Sequence, residues 1–129
     1  MIRNSENQNI VIIGIGSNLI DGAELCIQRA ISLIEKFGIV VKQSSIYSSK
    51  PFARPDSILL YHNSVIEVLT DLAYDDFLRR TKDIEYILGR YHHSDSVAID
   101  IDIVYWNMEL LRPNEIKRDY FLIGYQQLH

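Results

Sequence analysis

One cysteine, three prolines and no long apolar run set the first limits on this chain. A single thiol, Cys26, closes no intrachain disulfide and builds no cysteine zinc cluster. Cys26 falls within a helical pattern and is expected to be a small core residue. No apolar stretch approaches the ~20 residues that span a bilayer. Residues Met1 to Asn9 are polar and lack the apolar segment of a signal peptide, so they are read as a short flexible lead-in. The expectation is a soluble, cytoplasmic protein without a membrane partner. Positive charge is also scarce: 13 Lys and Arg face 17 Asp and Glu, for a formal net charge of −4. That balance disfavours a nucleic-acid partner. It does not exclude an anionic substrate, because a bound metal ion can supply positive charge locally.

What is present is ordinary globular material. With 129 residues, 47% of them hydrophobic, the chain has enough for one domain with one core and too little for two. Residues 1–129 are therefore read as a single domain, with a monomer favoured. No internal repeat, linker or low-complexity segment stands out.

Along the chain, Ile10 to Ile15 is a β-branched run suited to a buried strand, which Gly16-Ser17-Asn18 breaks. From Ala23 to Phe37 the residues Ile27, Ala30, Ile31, Ile34 and Phe37 keep helical spacing, and Gly38 is a natural stop. Ile39 to Ser49 returns to strand character. Lys50 to Ser57, holding Pro51 and Pro55, reads as a loop. His62 to Leu69 is a strand, and Tyr74 to Leu88 a helix with the stripe Phe77, Leu78, Thr81, Ile84 and Leu88. Asp75 and Asp76 lie in its first turn, where the helix dipole favours acids. After a polar loop, Val97 to Trp106 forms a last strand, and Ile116 to Leu128 carries mixed helical and extended signals. This order predicts an α+β, ferredoxin-like βαββαβ sandwich: an antiparallel sheet with helices on one face.

The last strand carries the chemistry. In Ile99-Asp100-Ile101-Asp102-Ile103, alternation puts both aspartates on one face and the isoleucines on the other. Their Cα atoms would lie roughly 6–7 Å apart. Two carboxylates so placed can grip a hard cation or bridge a pair of them. Plain half-burial of a strand produces the same alternation. Val104 and Trp106 fall on the aspartates' side by the same parity, which puts the carboxylates at the rim of something apolar.

Four landmarks occur in one order: Gly16-Ser17-Asn18, Tyr61-His62-Asn63, Ile84-Glu85 with Gly89-Arg90, and the Ile-Asp strand. Together they resemble 6-hydroxymethyl-7,8-dihydropterin pyrophosphokinase, a folate-pathway enzyme family. The resemblance implies transfer of diphosphate from ATP to the pterin hydroxymethyl group, leaving AMP. It implies that Asp100 and Asp102 hold two Mg²⁺ ions against the triphosphate, with Arg90 reaching the phosphates. Ser49, Phe52, Tyr61, Asn63 and Tyr120 match pterin-binding positions. Leu78, Glu85, Arg90, Ile103 and Arg118 match positions around the nucleotide. For Leu78 and Ile103 a core role fits equally well.

The chain also departs from the family. Ser94-Asp95-Ser96-Val97-Ala98 stands where the family has Trp-Gly-Pro-Arg-Thr, so a stacking aromatic and a loop arginine are missing. His92 and His93 replace a basic pair and carry only fractional charge at pH 7. Pro113 is followed by Asn114 rather than histidine, and the chain ends at His129, short of the family's C-terminal Pro-Leu segment. Losing one positioned cation costs on the order of 10²–10³ in rate, by analogy with an oxyanion-hole donor. Arg112 or Lys117 would compensate by reaching inward. Three readings stay open: the enzyme itself, a weakened relative that binds pterin or nucleotide without efficient turnover, and a ferredoxin-like interaction or regulatory domain.

Overall fold

A computed structural model describes residues 8–50, 60–89 and 98–129. Its strands are β1 (Asn9–Ser17), β2 (Ile39–Gln43), β3 (Tyr47–Ser49), β4 (Tyr61–Thr70), β5 (Asp100–Trp106) and β6 (Glu109–Leu110). Its helices are α1 (Ala23–Ile34), α2 (Tyr74–Gly89) and α3 (Asp119–Gln127), the last preceded by a 3₁₀ turn at Glu115–Lys117. The strands form one antiparallel sheet in the order β2-β4-β1-β5-β6, with β3 also paired to β4. Helices α1 and α2 make the two crossovers, so the expected α+β βαββαβ frame is present. No helix among the described residues is long and apolar enough to cross a membrane.

The β-branched run of β1 takes the centre of the sheet, paired on both sides by β4 and β5. Both ladders carry the strand through Gly16 and the β4 ladder carries it on to Ser17, beyond the break expected at Gly16. Pairing on both sides outweighs the weak strand preference of those residues. On one face Val11, Ile13, Ile15, Ile66, Val68, Ile101 and Ile103 bury against Ile27, Ala30, Ile31 and Ile34 of α1 and Phe77 and Ile84 of α2. Cys26 lies buried in this core as a free thiol, as its place in the helical pattern indicated. Helix α1 stops at Ile34 rather than Phe37, because Lys36 and Phe37 donate to Leu33 and Ile34 in tighter turns. This swings the Phe37 ring edge-on to Phe77, with centroids 5.2 Å apart.

Three other details correct the sequence expectations. The strand expected over Ile39 to Ser49 is broken at Ser44, whose side chain takes over ladder positions. Ser44 N–H donates to the Val65 carbonyl at 2.9 Å, and Val65 N–H donates to Ser44 Oγ at 2.8 Å. Such side-chain bonding competes with a continuous backbone ladder. The last strand begins at Asp100, with Ala98 and Ile99 buried ahead of it; Val97 lies outside the described residues. Within β5 the register slips opposite Ile12 and Ile13, leaving Val104 as an extra residue. A bulge of this kind reverses side-chain parity beyond it. Val104 stays with the aspartates, but Trp106 turns to the opposite face, edge-on to Phe77 at 5.7 Å and Tyr74 at 5.3 Å. Tyr105 takes the aspartates' side and stacks on Tyr125.

The stretch of mixed signals after Pro113 resolves into the 3₁₀ turn and α3. Helix α3 lies on the sheet face away from α1 and α2, where Phe121 and Leu128 bury against Ile12, Val65 and Val104. Tyr47 ties it down by donating its hydroxyl to the Tyr120 carbonyl at 2.6 Å.

Candidate active site

The floor of the site is a row of residues in register across four strands. Tyr47 on β3 stands opposite Asn63 on β4, Asn63 opposite Gly16 on β1, and Gly16 opposite Asp100 on β5. The next row is Val65, Gly14 and Asp102. Directly paired residues share a sheet face, so both rows look toward α3. The glycines keep the floor low. A Cβ at Gly16 would sit 3.3 Å from Asn63 Oδ1, and one at Gly14 would sit 3.3 Å from the Phe121 ring. Above them lies a cavity of about 320 Å³, walled in part by Ser49, Tyr61, Asn63, Asp100, Asp102 and Tyr120.

At one end of the cavity Asn63 is 4% exposed and donates from Nδ2 to Ser49 Oγ at 2.8 Å. That bond fixes which way the amide faces, and its oxygen looks across Gly16. A fixed amide can donate to and accept from the edge of a planar heterocycle. Tyr61 and Tyr120 add aromatic walls. Loss of water around Tyr61, and then the charge of Asp100, raise the Tyr61 phenol above its ordinary value. Tyr120 is raised further, by burial and by donating to the Glu115 carboxylate. Both phenols therefore stay protonated donors at neutral pH. Burial also pushes the Tyr47 phenol up to about 12, which preserves its bond to α3.

At the other end Asp100 stands exposed at the mouth and Asp102 lies half-buried. Both carboxyls are raised, first by lost hydration; the Asp102 charge adds to this for Asp100, and Glu115 for Asp102. Arg112 opposes the shift at Asp102, with Nη2 3.4 Å from Oδ1. The fold therefore collects negative charge here and leaves it incompletely matched. These hard oxygen donors suit Mg²⁺, which keeps several waters and is held through one or two carboxylates plus substrate phosphates. Among the described residues no cluster of three or more His, Cys, Asp or Glu could hold a metal. A two-aspartate platform that relies on phosphate for its other ligands fits that ion.

The structure thus brings Ser49, Tyr61, Asn63, Asp100, Asp102 and Tyr120 into one cavity. Phe52 and Arg90 lie outside the described residues, as do His92, His93, Ser94 and Val97. Leu78 and Ile103 are not brought into the cavity; both pack in the core on the α1–α2 face, where Ile103 is 3% exposed. The parity of β5 causes this, since Ile103 points away from its neighbour Asp102. Glu85 sits beside the cavity at the outer edge of β5. Its Oε2 accepts the Ile101 N–H at 2.8 Å, and Oε1 meets Lys82 Nζ at 3.2 Å. Arg118 caps the start of α3, near enough for its charge to act on Tyr120.

Gly14, Glu115 and Phe121 also line the cavity and were not singled out from the sequence. Gly14 left a usable signal, because a glycine inside a β-branched strand marks close approach of something else. Glu115 and Phe121 left none, since their placement depends on how α3 docks.

A family model described as 7,8-dihydro-6-hydroxymethylpterin-pyrophosphokinase (HPPK) matches residues 12–129. The chain is 32% identical over 137 residues to the folic acid synthesis protein FOL1 of Dictyostelium discoideum, covering 94% of this chain and 20% of that protein. It is 33% identical over 119 residues to the folic acid synthesis protein fol1 of Pneumocystis carinii, covering 88% of this chain and 15% of that protein. The chain therefore spans about a fifth or less of the length of these curated relatives.

Proposed function

This chain belongs to the 7,8-dihydro-6-hydroxymethylpterin-pyrophosphokinase family, and from that premise we propose that it transfers diphosphate from ATP to 6-hydroxymethyl-7,8-dihydropterin in folate biosynthesis. Enzymes of this family use ATP and Mg²⁺ and act on the hydroxymethylpterin. The observation that carries the reading for this chain is the register row that sets Asn63 and Asp100 on either side of Gly16.

In this reading Asn63, oriented by Ser49, binds the polar edge of the pterin, while Tyr61 and Tyr120 close on its ring. Phe52 would complete that pocket. The hydroxymethyl arm then points along the floor toward Asp102. Asp100 and Asp102 would hold two Mg²⁺ ions, whose positive charge would offset the charge of the triphosphate. The pterin oxygen bonds to the β-phosphorus as the bond from that phosphorus to the α–β bridging oxygen breaks. The electron pair leaves on AMP and the hydroxyl proton passes to solvent. Such transfer demands positioning and charge neutralisation more than covalent help. Arg90 and Arg118 would serve the phosphates, and Glu85 would flank the nucleotide at the outer edge of β5, whereas Leu78 and Ile103 serve the core. The proposal includes one domain over residues 1–129, acting as a monomer in the cytoplasm, where a buried free thiol such as Cys26 is at home.

The test is direct: incubate the protein with ATP, Mg²⁺ and the hydroxymethylpterin, then separate the products. AMP and pterin diphosphate should form in equal amounts, and Asp102→Ala should form neither. Pterin binding without AMP would sink the catalytic reading.

A further inference from the structure

The ion pair between Arg112 and Asp102 does little for the fold. The two side chains are 45% and 20% exposed, so water screens them, and isolated pairs of this kind contribute little stability. Their geometry says more. A guanidinium carries five N–H donors in a planar fork matched to carboxylates and phosphates. One approach to a single Asp102 oxygen at 3.4 Å leaves most of that fork unspent. Arg112 lies between β6 and the 3₁₀ turn and meets the cavity through Asp102, which with Glu115 lines its carboxylate end. Among the described residues no third His, Cys, Asp or Glu joins the two aspartates to enclose a cation. A bare divalent ion arriving at Asp102 would have to displace the guanidinium or bear its repulsion. A metal–triphosphate complex would not, because its excess negative charge gives the fork a better partner.

We propose that Arg112 makes cation binding at Asp100 and Asp102 conditional on the nucleotide. Arg112 holds Asp102 while the triphosphate is absent and turns its donors onto the phosphates when the metal arrives with it. The inference rests on the pyrophosphokinase reading above and adds the order in which the ligands bind.

Mn²⁺ serves as the metal probe and a non-cleavable α,β-methylene ATP as the nucleotide probe, titrated by electron paramagnetic resonance and calorimetry. Relative to the unsubstituted protein, Arg112→Ala should bind Mn²⁺ alone about three- to tenfold tighter, because a competing cation is gone. The same variant should bind the analogue with Mn²⁺ about tenfold more weakly, having lost a charge-assisted donor fork. Arg112→Lys keeps the charge but not the fork: its Mn²⁺ affinity should stay within about twofold, and its analogue affinity should fall. A side chain that merely supports the loop would move both affinities of Arg112→Ala in the same direction, or neither, and either result overturns the proposal. Circular dichroism confirms that each variant is folded. If the unsubstituted protein binds both probes and Arg112→Ala matches it, only the role of Arg112 falls. If the unsubstituted protein binds neither probe, the pyrophosphokinase reading falls first and takes this inference with it.

Discussion

The two faces of the central sheet come from the same strands and do opposite work. Toward α1 and α2 the strands present mainly isoleucines and valines, buried against the helices. Toward α3 they present Ile12, Val65, Val104 and Gly14, the last beneath Phe121, at one end, then Gly16, Asn63 and Asp100 at the other, with Asp102 beside Gly14 at the margin of the cavity. Because α3 covers only the first end, the second stays open. The site is thus a gap in a core: glycine keeps the floor low, and polar residues stand where a helix would otherwise pack. Stability is concentrated on one face and recognition on the other, and substitutions should separate the two.

The largest effect is expected on the open face. Asp102→Asn should lower AMP formation by about 10³-fold, as the loss of a principal charge-stabilising group does. Its fold should not suffer. Both aspartates have carboxyls raised above their ordinary 3.8. An acid whose folded value is raised favours the folded state below its unfolded value and loses that contribution as pH rises through the folded one. Without metal, the stability of Asp100→Asn relative to the unsubstituted protein should therefore grow as pH rises above 3.8, as read by thermal unfolding across pH. A relative stability that instead falls with pH would show that the carboxylates support the fold.

Next in size is a change on the closed face. Ile13 is fully buried between α1 and the sheet, so Ile13→Ala should cost about 2–5 kcal/mol in denaturant unfolding. Pterin affinity, measured where the variant is still folded, should hardly move. A matching loss of affinity would break the division between the faces.

Gly16→Ala should do the reverse. Its Cβ would crowd Asn63 Oδ1, and pterin binding should weaken roughly 10- to 100-fold for a displacement of that kind. The unfolding midpoint should barely shift. Smallest is Ser49→Ala, which removes the bond that orients Asn63. It should cost about 1 kcal/mol of pterin affinity, roughly fivefold in Kd, with no change in nucleotide affinity.

Much of the frame was legible because the signals were local and redundant. The β-branched run of β1, the helical spacing from Ala23 to Ile34 and the stripe of α2 each repeat one period over many residues. The site was legible in part for the same reason: Asp100, Asp102, Asn63 and Tyr61 sit on strands, where alternation decides facing. Leu78 and Ile103 show the limit, because a match to a family position does not override the parity that turns Ile103 into the core. The face of Trp106, the interruption at Ser44 and the lining by Glu115 were not legible. A one-residue register slip, a side chain entering a ladder and the docking of α3 each depend on partners far away in sequence. Arg112 is the sharpest case, since its residue type was visible while its partner was not.

By itself the sequence determined the alternation that puts Asp100 and Asp102 together, because that follows from the covalent geometry of an extended chain. It also determined which segments are helix or strand wherever one period persists. Only the tertiary structure decided that Gly16 would separate Asn63 from Asp100 by one strand, that α3 would leave one end of its face open, and that Arg112 would stand against Asp102. The physical reason is one of range: backbone periodicity is a property of neighbours, whereas a site is made by residues that meet only when the sheet closes its register.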